Sequence, residues 1–119
     1  MVRSSRATEL DEYERRYREL AGELSEIGLI ASGSVTRRST RCSTPGCRCH
    51  AEPPRLHGPY FQWTAKVGGK TVTRRLSEQE ARIYEEWIAN DRQLRNVLAE
   101  MREIAAKAEA IILQGTVAS

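Results

Sequence analysis

A chain of 119 residues that is 39% hydrophobic and 29% charged, with a mean hydropathy of −0.57, has the makeup of a soluble fold with a modest core. It has no apolar run of about 18 residues, which excludes a membrane-spanning helix. Its opening, MVRSSRATELDEYERR, lacks the apolar stretch of a secretory signal. The expectation is a single domain over residues 1–119, resident in the cytoplasm. The net charge of +3 hides an asymmetry: residues 32–76 carry nine Lys/Arg against Glu52 alone, whereas acidic residues outnumber basic ones in both flanking segments.

Residues 8 to about 28–30 read as a helix. Leu10, Tyr13, Tyr17, Leu20, Leu24 and Ile27 recur at alternating steps of three and four, a narrow apolar seam. Thr8, with Asp11 three residues on, reads as the N-cap, and Gly28 and Gly33 frame the exit. Residues 34–41, rich in β-branched and long basic side chains, read as a short strand. The segment 42–58, CSTPGCRCHAEPPRLHG, has three prolines and two glycines and no apolar set of its own. It cannot be regular structure, so something else must order it.

Gly68-Gly69 between two alternating runs, 60–67 and 70–76, is a two-residue hairpin signal, because both turn positions need positive φ. Pairing Val67 with Lys70 puts Phe61, Trp63, Ala65 and Val67 on one face with Val72 and Leu76. Gln62, Thr64, Lys66, Thr71, Thr73 and Arg75 then share the other face. Ser77 and Glu80 form a capping box that opens a long helix over 77–114, ended by Gly115. Its seam is Tyr84, Trp87, Leu94, Leu98, Met101, Ala105, Ala108 and Ile112, with Asp91 as a polar break. The predicted fold class is α+β: an N-terminal helix, a small three-stranded antiparallel sheet with a zinc knuckle, and a long C-terminal helix, the two helices pairing as a coiled coil.

The most informative motif is Cys42-x4-Cys47-x-Cys49. Three soft ligands crowd into a Pro/Gly-rich loop, and in a reducing compartment such a cluster points to a metal rather than to disulfides. Zinc favours thiolate and imidazole in a closed tetrahedron. His50 and His57 both offer a fourth ligand. Side chains of the adjacent Cys49 and His50 rarely converge on one ion, and His57 sits at the mouth of the hairpin, so His57 is favoured. Four protein ligands leave no open position for water, so the zinc is expected to be structural. No base–nucleophile pair, phosphate-cradling loop or paired carboxylates stand out, and the chain is expected not to be an enzyme.

The string RCSTPGCRCHAEPPRLHGPYFQWTAKVGGK resembles an uncharacterised family of small bacterial and archaeal proteins. Their shared pattern is C-x4-C-x-C, a polar loop, His-Gly-Pro-Tyr, an aromatic strand with a Gly-Gly-Lys turn, and a long helix containing Trp. The likeness covers about residues 34–90 and maps onto Cys42, Cys47, Cys49, His57, Gly58, Pro59 and Tyr60. It implies His57 as the fourth ligand and a genomic setting near transposases or other mobile elements, and it implies no activity.

The basic middle segment is the second lead. Lys66 and Arg75 share the polar face of the predicted sheet, and Arg37 or Arg38 of the first strand can join them, with Lys70 at the turn. A twisted sheet bearing Arg, Lys and Thr suits a nucleic acid, DNA over RNA; the competing expectation is a solvated face offset by the acidic helices. The long helix exceeds the first by roughly 25 Å, which would leave the seam from Leu98 to Ile112 for a homodimer or another helical protein. Two functions follow. One is a zinc-stabilised nucleic-acid-binding accessory protein, and the other a protein–protein adaptor that oligomerises through its helices around a purely structural zinc.

Overall fold

A computed structural model describes residues 5–117. The elements in order are α1 (Ser5–Leu24), β1 (Ser34–Thr40), a single 3-10 turn (Arg48–His50), β2 (His57–Val67), β3 (Lys70–Leu76) and α2 (Glu78–Val117). The strands form one antiparallel sheet in the order β1-β2-β3. This is the α+β arrangement expected from the sequence. Among the described residues, no helix is long and apolar enough to cross a membrane.

Two compact units divide the chain, one formed by Leu29–Asp91 and the other by the segments on either side of it. The sheet unit is built on the predicted hairpin. Val67 pairs with Lys70 across the Gly68-Gly69 turn, and both glycines have positive φ, 59° and 81°. Phe61 therefore faces Leu76, and Ala65 faces Val72. The apolar face packs on the first turns of α2, where Ala65, Leu76 and Ala81 are buried. Trp63 stacks on Tyr84 and Tyr84 meets Trp87 edge-on, each with centroids 5.2 Å apart. The Trp63 indole N–H donates to the Ser32 carbonyl at 2.8 Å, and the Ala31 N–H donates to the Trp87 carbonyl at 3.1 Å. Near the turn the same face is bare: Val67 and Val72 are exposed.

The capping box forms with both of its reciprocal bonds. Glu80 N–H donates to Ser77 Oγ at 3.1 Å, and Ser77 N–H donates to Glu80 Oε1 at 3.0 Å. The Ser77 backbone first, then its hydroxyl and the nearby Arg74, hold the Glu80 carboxyl below its ordinary range. A depressed carboxyl stabilises the fold above its unfolded pKa, and that contribution fades as pH falls through the folded value. Ser77→Ala is expected to lower stability by about 1 kcal/mol, read as a shift in urea midpoint.

The helical unit pairs α1 with α2 from Arg92 onward. Leu20, Val97 and Met101 form its buried centre, with Leu24, Leu98 and Ile104 around them. At its edge Arg16 Nη2 lies 2.8 Å from Glu100.

Four details differ from the sequence reading. α1 begins at Ser5, so Thr8 lies inside the helix rather than capping it, and the helix ends at Leu24, short of residue 28. Gly115 does not stop α2, which continues to Val117. The strict heptad seam misses Val97 and Ile104, because a 3.6-residue helix drifts across a 3.5-residue repeat and presents a wider stripe. The expected surplus of apolar seam is largely used: α2 gives its opening turns to the sheet, and Met101 is buried and Leu98 half-buried in the helical unit. Ile112 and Leu113 remain exposed.

Candidate metal centre and basic sheet face

Both ends of the cysteine loop are anchored in the sheet. β1 ends at Thr40, which pairs with His57, the first residue of β2. Cys42 therefore leaves the ladder close to where His57 joins it. The sequence reading began this strand at residue 60; the ladder extends back through Gly58 and Pro59 past a register shift between Arg38 and Thr40. Gly58 has φ 113°, and a Cβ there would lie 2.8 Å from the Arg38 carbonyl oxygen, so the close strand crossing needs glycine.

Inside the loop, Pro45-Gly46 turns the chain with Gly46 at φ 83°, and Cys47 N–H donates to the Thr44 carbonyl at 3.3 Å. The 3-10 turn follows, where irregular chain was expected. His50 N–H donates to the Cys47 carbonyl at 2.9 Å, and Arg55 N–H returns to the Arg48 carbonyl at 3.0 Å. This winding buries Cys49 completely.

The result is a cluster of Cys42, Cys47, Cys49 and His57 whose donor atoms all lie within 4.8 Å of one another. Cys42 Sγ and Cys49 Sγ are 3.6 Å apart, and Cys47 Sγ and His57 Nε2 are 3.2 Å apart. A tetrahedron with Zn–S bonds of about 2.3 Å has edges of about 3.8 Å, so the spacing and the donor chemistry both fit such an ion. Cys42 N–H donates to Cys49 Sγ at 3.3 Å, a bond that steadies a sulfur carrying negative charge. His50 is turned elsewhere: its Nε2 lies 2.6 Å from the Cys42 carbonyl oxygen, where it braces the loop. His57, not His50, joins the three thiols.

The thiols are not equivalent. A backbone hydrogen bond with Thr44, then the Cys47 side chain, bring Cys42 down to about 6, whereas burial pushes Cys49 up. The cluster can hold a metal such as zinc, closed on four protein side chains, and its effect would be to order a loop that buries no apolar side chain.

The sheet's other face is polar. Residues paired directly across antiparallel strands project to the same side, and alternate residues to opposite sides. Arg38 pairs with Tyr60 and Arg75 with Gln62, so Arg38, Arg75 and Lys66 lie on one face with Thr64 and Thr73. Arg37 pairs with Phe61 and Lys70 with Val67, which assigns both to the opposite, apolar side. The register thus divides the five basic residues singled out from the sequence into three and two.

Sequence reasoning missed one contact there. The Arg75 guanidinium carbon lies 3.9 Å over the centre of the Tyr60 ring. The hairpin register contained the signal, since Arg75 opposite Gln62 is diagonal to Tyr60. A cleft of about 260 Å3 opens beside this stack, between Arg38, Thr40, Gln62, Thr73 and Arg75. Among the described residues the ion pairs, Arg15–Glu19, Arg16–Glu19, Arg16–Glu100, Arg82–Glu78 and Lys107–Glu103, all lie within or between helices. None engages a basic residue of the sheet or the loop.

No curated protein and no solved structure matches the chain. Residues 10–85, which run from α1 through the cysteine loop and the sheet into the start of α2, match the family model described as Domain of unknown function (DUF6788). That match takes in more than half of the sequence, and the chain belongs to this family.

Proposed function

We propose that this is a zinc-stabilised DNA-binding accessory protein. Zinc on Cys42, Cys47, Cys49 and His57 orders the loop, and the polar face of the sheet lies against the phosphate backbone. The observation that carries the reading is where the positive charge lies: Arg38, Lys66 and Arg75 are exposed on one face of the sheet without an ion pair among the described residues, whereas Glu19, Glu78, Glu100 and Glu103 pair with Arg or Lys of the helices. Such a face attracts a polyanion, whose counterions are released on binding. The role is one of binding rather than catalysis, and an association with mobile elements rests on the family resemblance alone.

The test is a double charge reversal, Lys66→Glu with Arg75→Glu, compared with the unaltered protein in DNA titrations at two salt concentrations. Both side chains are exposed, so the fold should survive. Wild type should bind in a steeply salt-dependent way, and the variant should lose about 100-fold in affinity, with a flatter salt slope. Equal binding by the two proteins would contradict the reading. Absence of DNA binding together with a dimeric mass by light scattering would favour the adaptor alternative. That alternative has one observation on its side, a cleft of about 220 Å3 between Tyr17, Leu98, Met101 and Ala105 on the helical unit.

A further inference from the structure

The one aromatic side chain on the basic face has its ring already covered. The positions that the register assigns to this face are Ser34, Thr36 and Arg38 of β1, the even-numbered residues Tyr60 to Lys66 of β2, and Thr71, Thr73 and Arg75 of β3. Tyr60 alone among them is aromatic. Proteins that grip single strands offer open aromatic rings on which bases stack. Here the Arg75 guanidinium, 3.9 Å over the ring centre, takes that place.

A ring used in this way serves the arginine. A guanidinium held against a ring is restrained in orientation, and its N–H donors form a preorganised fork that suits a phosphate. Arg38 pairs with Tyr60 from β1, so the two arginines flank Tyr60 on the same face from the strands on either side of β2. The Gln62 amide and the Thr73 hydroxyl complete a cleft of about 260 Å3 with no carboxylate among its lining residues.

Building on the reading that this face binds DNA, we propose that the cleft is a seat for a backbone phosphate of duplex DNA. Arg38 and Arg75 bind the phosphate, and Tyr60 is the positioning residue that holds Arg75. The face therefore favours a duplex over a single strand.

The experiment uses the full chain and fluorescence anisotropy. The probes are a labelled duplex of about two helical turns and its isolated labelled strand, each at two salt concentrations. The proteins are wild type, Tyr60→Leu, Tyr60→Phe and Arg38→Gln, each checked for folding by circular dichroism. Wild type should bind the duplex more tightly than the strand. Tyr60→Leu should weaken duplex binding about two- to fivefold, and Tyr60→Phe, which keeps the ring, should restore it. Arg38→Gln, at an exposed position, should weaken binding and reduce the salt slope by about one. No salt-dependent binding of either probe by wild type would overturn both the DNA reading and this site. Duplex binding that is untouched by Tyr60→Leu and Arg38→Gln would overturn the phosphate seat and leave the DNA reading standing. Tighter binding of the single strand, lost in Tyr60→Leu, would do the same.

Discussion

Replacing Cys49 by serine is expected to release the metal and open the loop between Cys42 and His57, while the helical unit keeps its structure. Cys49 is the one fully buried residue between residues 41 and 56; Cys42 and Cys47 are half-exposed, and Leu56 is exposed. The loop therefore draws almost nothing from apolar burial. Ordering its backbone costs about 1–2 kcal/mol per residue, far more than a few backbone hydrogen bonds return in water. Structural zinc in finger-like peptides contributes on the order of 10–16 kcal/mol at neutral pH, the same order as that cost. A serine oxygen is a poor ligand, and the remaining thiols and His57 would not complete a tetrahedron. Trypsin provides the readout, because Arg48 and Arg55 are exposed within the loop. The metal-loaded wild type should resist cleavage at both sites, whereas the variant, and wild type treated with a chelator, should be cut there first. Equal resistance in all three would mean that the chain orders the loop unaided.

The second large effect is expected at Gly33→Ala, which should destabilise the protein by about 3 kcal/mol or more. Gly33 has φ 96°, a region that L side chains rarely adopt. An added Cβ would collide with the Thr64 carbonyl oxygen and come within 2.7 Å of Ala65 Cβ and 2.9 Å of Trp63 Nε1. The first obstacle is backbone of the central strand, so it cannot step aside as a flexible side chain would. Trp63 is held by its bond to the Ser32 carbonyl and by the Tyr84 ring. The opposite sign is expected at Gly22→Ala. That glycine lies in α1 with nothing within 4 Å of an added Cβ, and alanine there should stabilise by about 0.5–1 kcal/mol. Urea denaturation of the two variants beside wild type checks both, and a fall in midpoint for Gly22→Ala or none for Gly33→Ala would contradict the local geometry.

How much of this was legible in the sequence depends on how local the cause is. The hairpin register follows from Gly68-Gly69 and two alternating runs, and the capping box from Ser77 and Glu80; both are short-range devices, and both formed as read. The three thiols were legible because they lie within a short stretch, whereas the sequence offered both His50 and His57 as the fourth donor and only favoured His57, the one that joins the cluster. The start of α1 was not, since a Thr-x-x-Asp pattern resembles a cap wherever it falls on a helix. The choice between Arg37 and Arg38 needed the pairing of β1 with β2, which joins residues far apart in sequence and crosses a register shift. The division of α2 between the sheet and α1 was hidden for a similar reason. The stripe faces two different partners on either side of Asp91, and the polar break there reads as an interruption of one seam rather than as a change of partner.

The most direct test of the central claim is elemental analysis of reduced protein purified without added metal, with Cys49→Ser alongside. About one zinc per chain in the wild type and none in the variant is the result this account predicts. Wild type that carries no metal, yet keeps the 42–57 loop protected from trypsin, would contradict it.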